Sequence, residues 1–141
     1  MFRTIVCAAG MAALLAPAVR AQEALIAQVP FDFTIAGKVL SAGVYRISHE
    51  AGSPAVLKIM NEGRLTGAYL GVRNWSRSGG ETSPKLVFNR YGGAYFLAAV
   101  EWGTKGCEAF VSKQEKELMA RGMRPDKVIL AFGGFEQPAE R

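Results

Sequence analysis

Cysteine and histidine are nearly missing from this chain of 141 residues, which has two cysteines, Cys7 and Cys107, and one histidine, His49. Metal centres built on clustered His and Cys are therefore not expected. Asp32, Glu50, Glu62, Glu81, Glu101 and Glu108 are scattered and form no spaced pair that reads as a glycosidase dyad. No glycine-rich phosphate loop leads from a strand into a helix, because Gly92 and Gly93 stand between two strand-like runs. Lysine and arginine form no cluster interleaved with aromatics, which argues against nucleic acid as a partner. No cofactor is implied.

The chain does open with an export signal. Arg3 gives a short positive start, residues 4–19 form an uncharged apolar run, and Val19-Arg20-Ala21 puts short side chains at both positions a signal peptidase reads. The run falls short of the roughly 20 residues of a membrane span and is interrupted by Pro17. A cleaved leader over residues 1–21 is expected, with the cut between Ala21 and Gln22 and no membrane span left afterwards. The destination is the periplasm or the exterior. Taking 21 from 141 leaves 120 residues, one domain over 22–135 and a tail over 136–141. Removing Arg3 and Arg20 from 17 basic residues leaves 15 against 12 acids, a formal charge of +3. Cys107 is then the sole cysteine, either a buried thiol or a link between two copies of the chain.

Residues 85–102, KLVFNRYGGAYFLAAVEW, organise the rest: two apolar runs flank Gly92-Gly93, a pair that makes a tight hairpin turn without steric cost. Pairing across that turn sets Arg90 opposite Tyr95, Phe88 opposite Leu97 and Leu86 opposite Ala99 on one apolar face. The other face, with Val87, Phe96, Ala98, Val100 and Trp102, also needs cover. Period-2 alternation predicts further strands over 29–35, 44–49, 56–60, 65–72 and 128–132, and turn residues separate them. Gly67 and Gly71 on one strand face suggest a bulge, strong curvature or a close neighbour. Residues 74–84 read as a surface loop with Trp75 at its root. Ser112-Lys113-Gln114-Glu115 is a capping box that starts a helix over 113–121, and Gly122 ends it. The fold class that follows is all-β and mainly antiparallel: a small sandwich or barrel of about 6–8 strands with one short C-terminal helix.

The phrases VPFDF at 29–33, SAGVY at 41–45, FNRYGGAYFL at 88–97 and SKQEKEL at 112–118 resemble those of a family of small exported bacterial proteins that carry them in the same order. The resemblance covers the mature chain to about Arg121 and implies export and a compact β-rich domain, with no activity attached. Residues 106–111 and the extension after Gly122 depart from that pattern.

The most pointed polar group is Asn89, Arg90 and Tyr91 beside Tyr95, which either finishes the hairpin end or forms a rim for an anionic or sugar ligand. Trp75 and Trp102 are core or interface rings, or a carbohydrate-stacking platform. A His49–Cys107 nucleophile pair would need the fold to bring the two within reach. The expected role is a non-enzymatic binding or association domain of the cell envelope, with an envelope glycan, lipid or protein as its partner. A barrel carrying an apolar ligand is the second expectation and a hydrolase the third.

Overall fold

The computed structural model describes residues 24–76, 78 and 83–131, and the backbone of 135–136. The leader, the Ala21–Gln22 junction and all but Glu136 of the tail lie outside them. Among the described residues there are eleven strands and one helix, more strands than the alternation suggested because several are only two or three residues long. They are β1 Ala24–Val29, β2 Phe33–Ile35, β3 Lys38–Leu40, β4 Gly43–Glu50, β5 Ser53–Asn61, β6 Gly67–Ser76, β7 Lys85–Tyr91, β8 Ala94–Trp102, β9 Lys105–Ala109, α1 Lys113–Ala120, β10 Asp126–Ala131 and β11 Phe135–Glu136.

One sheet runs β11-β1-β4-β5-β6 and the other β6-β9-β8-β7-β10, so β6 belongs to both. Its first half pairs with β5, from Met60↔Gly67 to Val56↔Gly71. Its second half pairs with β9, from Val72↔Ala109 to Ser76↔Lys105. A strand that changes partners midway turns the sheet through a corner and folds one ribbon into two facing layers. The switch falls between Gly71 and Val72, and at the start of the strand Gly67 lets β5 approach closely, since a Cβ there would lie 2.3 Å from the carbonyl oxygen of Ile59. The path ends at β10 and β11 without closing, and the architecture is a sandwich and not a barrel.

The run expected as one strand over 29–35 is two, β1 and β2, paired in different sheets. Pro30 has no N–H to offer a ladder, and Asp32 spends its Oδ1 on the Ala42 N–H at 2.9 Å, so the chain crosses between layers here. β2 then pairs antiparallel with β3 and lies parallel to β8 at Thr34↔Phe96. Leu25, Val29, Tyr45, Ile47, Leu57 and Ile59 of the first sheet meet Phe33, Ile35, Leu86, Phe88, Val100 and Cys107 of the second, and all twelve are at most 2% exposed. Each large apolar side chain so buried contributes about 1.5–3 kcal/mol, which makes this interface the main source of stability.

The β7–β8 hairpin turns at Gly92-Gly93, with Gly92 at φ +60°. Arg90↔Tyr95 and Phe88↔Leu97 pair as expected, but a register shift follows and Leu86 faces Val100, not Ala99. The extra residue, Ala98, is a bulge. It answers the puzzle of a hairpin apolar on both faces: past the bulge, Val100 changes sides and joins Leu97 in the core. Phe96 and Tyr91 remain on the outer face, where α1 approaches them.

Helix α1 starts at Ser112, whose Oγ accepts from the Glu115 N–H at 3.2 Å. The reciprocal half of the capping box is replaced: the Glu115 carboxylate turns inward and accepts from Asn89 Nδ2 at 3.2 Å. Residues 74–76, expected in a surface loop, extend β6, and β9 forms over Lys105–Ala109, where no strand was expected. No described helix is long and apolar enough to cross a membrane.

Candidate functional site

The six residues singled out from the sequence fall at two ends of one hairpin. Asn89, Arg90, Tyr91 and Tyr95 flank its turn, and Trp102 closes its open end, seven residues from Tyr95 or about 23 Å at the rise of a strand.

At the turn end Arg90 and Tyr95 find partners within the chain, while Asn89 Oδ1 is buried without one. Arg90 Nη2 meets Asp126 Oδ2 at 3.2 Å, a partner supplied by β10. Tyr95 first and Asp126 second push the Arg90 pKa up. Tyr95 stacks on Phe31, with ring centroids 3.8 Å apart and planes 15° from parallel, which is the place the sequence had given to Arg90. Tyr91 meets the edge of Phe96 at 5.7 Å. Desolvation first, and then the neighbouring Glu115, push the Tyr91 hydroxyl pKa up.

The open end is different. Trp75 in β6 and Trp102 in β8 flank β9, at the cross-strand positions Trp75↔Gly106 and Trp102↔Lys105. Trp75 thus sits on a strand and not at the root of a loop. With His49, Pro54, Asn74, Ser76, Lys105 and Gly106 the two indoles line a cleft of about 370 Å³, within the range of about 300–1,000 Å³ typical of small-molecule sites. His49 stacks on Trp102 at 5.3 Å and 28°. Its Nε2 lies 3.1 Å from Asn74 Oδ1, and Asn74 Nδ2 donates to the Pro54 carbonyl at 2.7 Å. That chain fixes the imidazole and leaves its flat stack with the indole as one wall. The Trp102 Nε1 is buried and has no acceptor, a donor whose burial without a partner costs about 1–3 kcal/mol.

Trp75 is seated by Gly106. A Cβ on Gly106 would lie 2.3, 2.7 and 2.9 Å from indole Cζ2, Cε2 and Cη2. Distances so similar to an atom and both its bonded neighbours place the glycine over the face of the six-membered ring; an approach in the ring plane would leave the neighbours much farther off. The indole therefore lies flat on the backbone of β9. Trp75 also lines a second cleft, of about 360 Å³, with Arg73, Glu101 and Glu108. Glu101 Oε2 there meets Lys85 Nζ at 3.1 Å. The outcome is a half-buried aromatic platform between two polar-rimmed clefts.

Cys107 is 0% exposed, and burial pushes its thiol pKa up to about 12 against a weaker opposing hydrogen bond with the Val100 backbone. A thiol so placed is a poor nucleophile and a poor metal ligand. A disulfide between chains, raised from the sequence, would require β8 and β9 to part. No group of three or more His, Cys, Asp or Glu that could hold a metal exists among the described residues.

The sequence offered no route to His49, Asn74, Lys105 or Gly106 as a group, because 53 positions separate His49 from Trp102 and only the facing of β4 against β8 unites them. Two local signals existed, the adjacency of Asn74 and Trp75 and the closeness of Lys105 and Gly106 to Trp102. No family model, curated protein or solved structure matches the chain.

Proposed function

We propose that this is an exported, non-enzymatic binding domain of the cell envelope or exterior, and that its ligand is an envelope glycan held across the Trp75–Trp102 cleft. The observation that carries this is the flat seating of Trp75 on Gly106 between two clefts. A sugar ring has an apolar C–H face that packs on a flat π system and a hydroxyl rim that needs donors and acceptors. The clefts supply the latter: Asn74, Lys105, Arg73, Glu101 and Glu108.

Export rests on the leader and on the resemblance to small exported proteins, and N-terminal sequencing of protein from its native host should begin at Gln22. A carrier of apolar ligands has less support, since the sheet path is open and the space between the layers is filled by side chains at most 2% exposed. The functional test is calorimetric titration with oligosaccharides released from envelope polysaccharide. Saturable binding, weakened at least tenfold by Trp75→Ala with unchanged circular dichroism, is expected. No binding, or equal binding by Trp75→Ala, would rule the proposal out; slow shortening of the sugar during titration would favour the hydrolase.

A further inference from the structure

Away from the indole cleft, Glu115 poses a problem of charge. It is the one buried residue of α1 and only 5% exposed, yet its side chain meets a neutral amide, Asn89 Nδ2, and no lysine, arginine or histidine among the described residues pairs with it. The Tyr91 hydroxyl lies beside the carboxylate and can donate to it, while Asn89 Oδ1, buried nearby, has no partner. A buried carboxylate without a counter-charge is costly, by several kcal/mol in a dry site. Asn89 and Tyr91 offer Glu115 hydrogen bonds but no positive charge, so the carboxylate has no counter-ion among the described residues.

Next to Glu115 lies a cavity of about 230 Å³, whose other walls are mainly apolar: Ile35, Leu70, Phe96, Leu97, Phe110 and Val111. At about 30 Å³ per water the space equals roughly seven or eight waters, and it falls below the range of about 300–1,000 Å³ that suits drug-sized ligands. Water alone would be poorly held along those apolar walls. An ion alone would leave most of the space unused.

We infer that this cavity is a second binding site, for a small amphiphilic amine whose ammonium group meets Glu115 while its hydrocarbon body fills the space beside Phe96 and Leu97. An ammonium has three donors to give, and the carboxylate is the acceptor that neutralises it. A carboxylic acid of the same length would place like charge on Glu115, and an alcohol would leave the buried charge uncompensated. The site is independent of the glycan proposal, so either can fail alone.

The test uses n-hexylamine, charged at pH 7, titrated into the mature protein and followed by calorimetry and amide chemical shifts, with 1-hexanol and hexanoate as controls. Saturable binding of hexylammonium is expected, at least tenfold tighter than either control, with shifts centred on Phe96, Phe110 and Glu115. Glu115→Gln should remove that preference. Should Glu115→Gln fold poorly, Gly71→Val decides, because Gly71 lines the cavity and a side chain there reaches toward Phe110, 3.7 Å from an added Cβ, while Glu115 stays intact. It should abolish binding and leave oligosaccharide binding unchanged. Absence of saturable binding, equal affinity for 1-hexanol, or wild-type affinity in a folded variant would each overturn the inference.

Discussion

The two ends of the β7–β8 hairpin carry similar residues and put them to opposite uses. At the turn, Arg90 has Asp126 and Tyr95 has Phe31, so these two side chains are partnered within the chain. At the open end, Trp75 and Trp102 line clefts, and the Trp102 N–H has no acceptor. Aromatic and polar residues side by side are therefore common to both ends; what the open end adds, and what the proposed binding site rests on, is a flat ring beside open volume. The turn end would have been the choice from sequence, because its residues are contiguous.

The comparison breaks most violently at Gly106. A valine there collides with the face of Trp75, so Gly106→Val should lower stability by about 1–3 kcal/mol, as overpacking does, and should weaken glycan binding at least tenfold. Denaturant titration and calorimetry would read both. An unchanged midpoint would mean that the indole is not seated on β9.

Alkaline pH separates the two ends next, since each holds a buried acid with a raised pKa, Cys107 beside the open end and Tyr91 beside the turn. Below about pH 9, near the ordinary thiol value of 9.0, Cys107 is protonated both folded and unfolded. Above it the unfolded chain releases the proton while the folded chain holds it, so stability is lost as pH rises toward about 12. Tyr91 acts in the same direction above its ordinary 10.0. Melting temperatures from pH 8 to 11 should fall, Cys107→Ala should flatten most of the fall, and Tyr91→Phe a smaller part. A flat wild-type profile would mean that neither acid is as buried as described.

A gentler change sharpens the open end. Trp102→Phe keeps a ring for His49 to stack on and deletes only the buried, unmatched N–H, so the folded chain should gain about 1 kcal/mol in stability while glycan affinity changes by less than about twofold. Loss of stability with unchanged affinity would show that the N–H serves the fold. The smallest effect belongs to the turn end, where Arg90→Ala should leave glycan affinity unchanged and lower the melting temperature only slightly, because its ion pair is exposed.

How much of this was legible in the sequence depends on whether the determining contact was local. The Gly92-Gly93 turn, the pairing of Arg90 with Tyr95 and the start of α1 at Ser112 all depend on residues a few positions apart, and these were readable. The bulge at Ala98 was not, because it is forced by two layers each claiming apolar residues from β8, and a period-2 pattern has no symbol for an inserted residue. The sharing of β6 between sheets was half visible: Gly67 and Gly71 announced curvature or a close neighbour without saying that the strand changes partner after Gly71. The inward turn of Glu115 was hidden by a capping motif that fitted it well. Trp75 and Trp102 could be named singly, but their union with His49 and Gly106 is a product of the fold.

The chain has two tryptophans, so two indole N–H resonances report the open end without ambiguity. Titrating the labelled protein with envelope oligosaccharide should move both of them saturably, while the backbone amides of residues 89–95 stay in place. Movement of those amides with both indole resonances fixed would put the site at the turn and contradict the assignment of the open end as the binding surface.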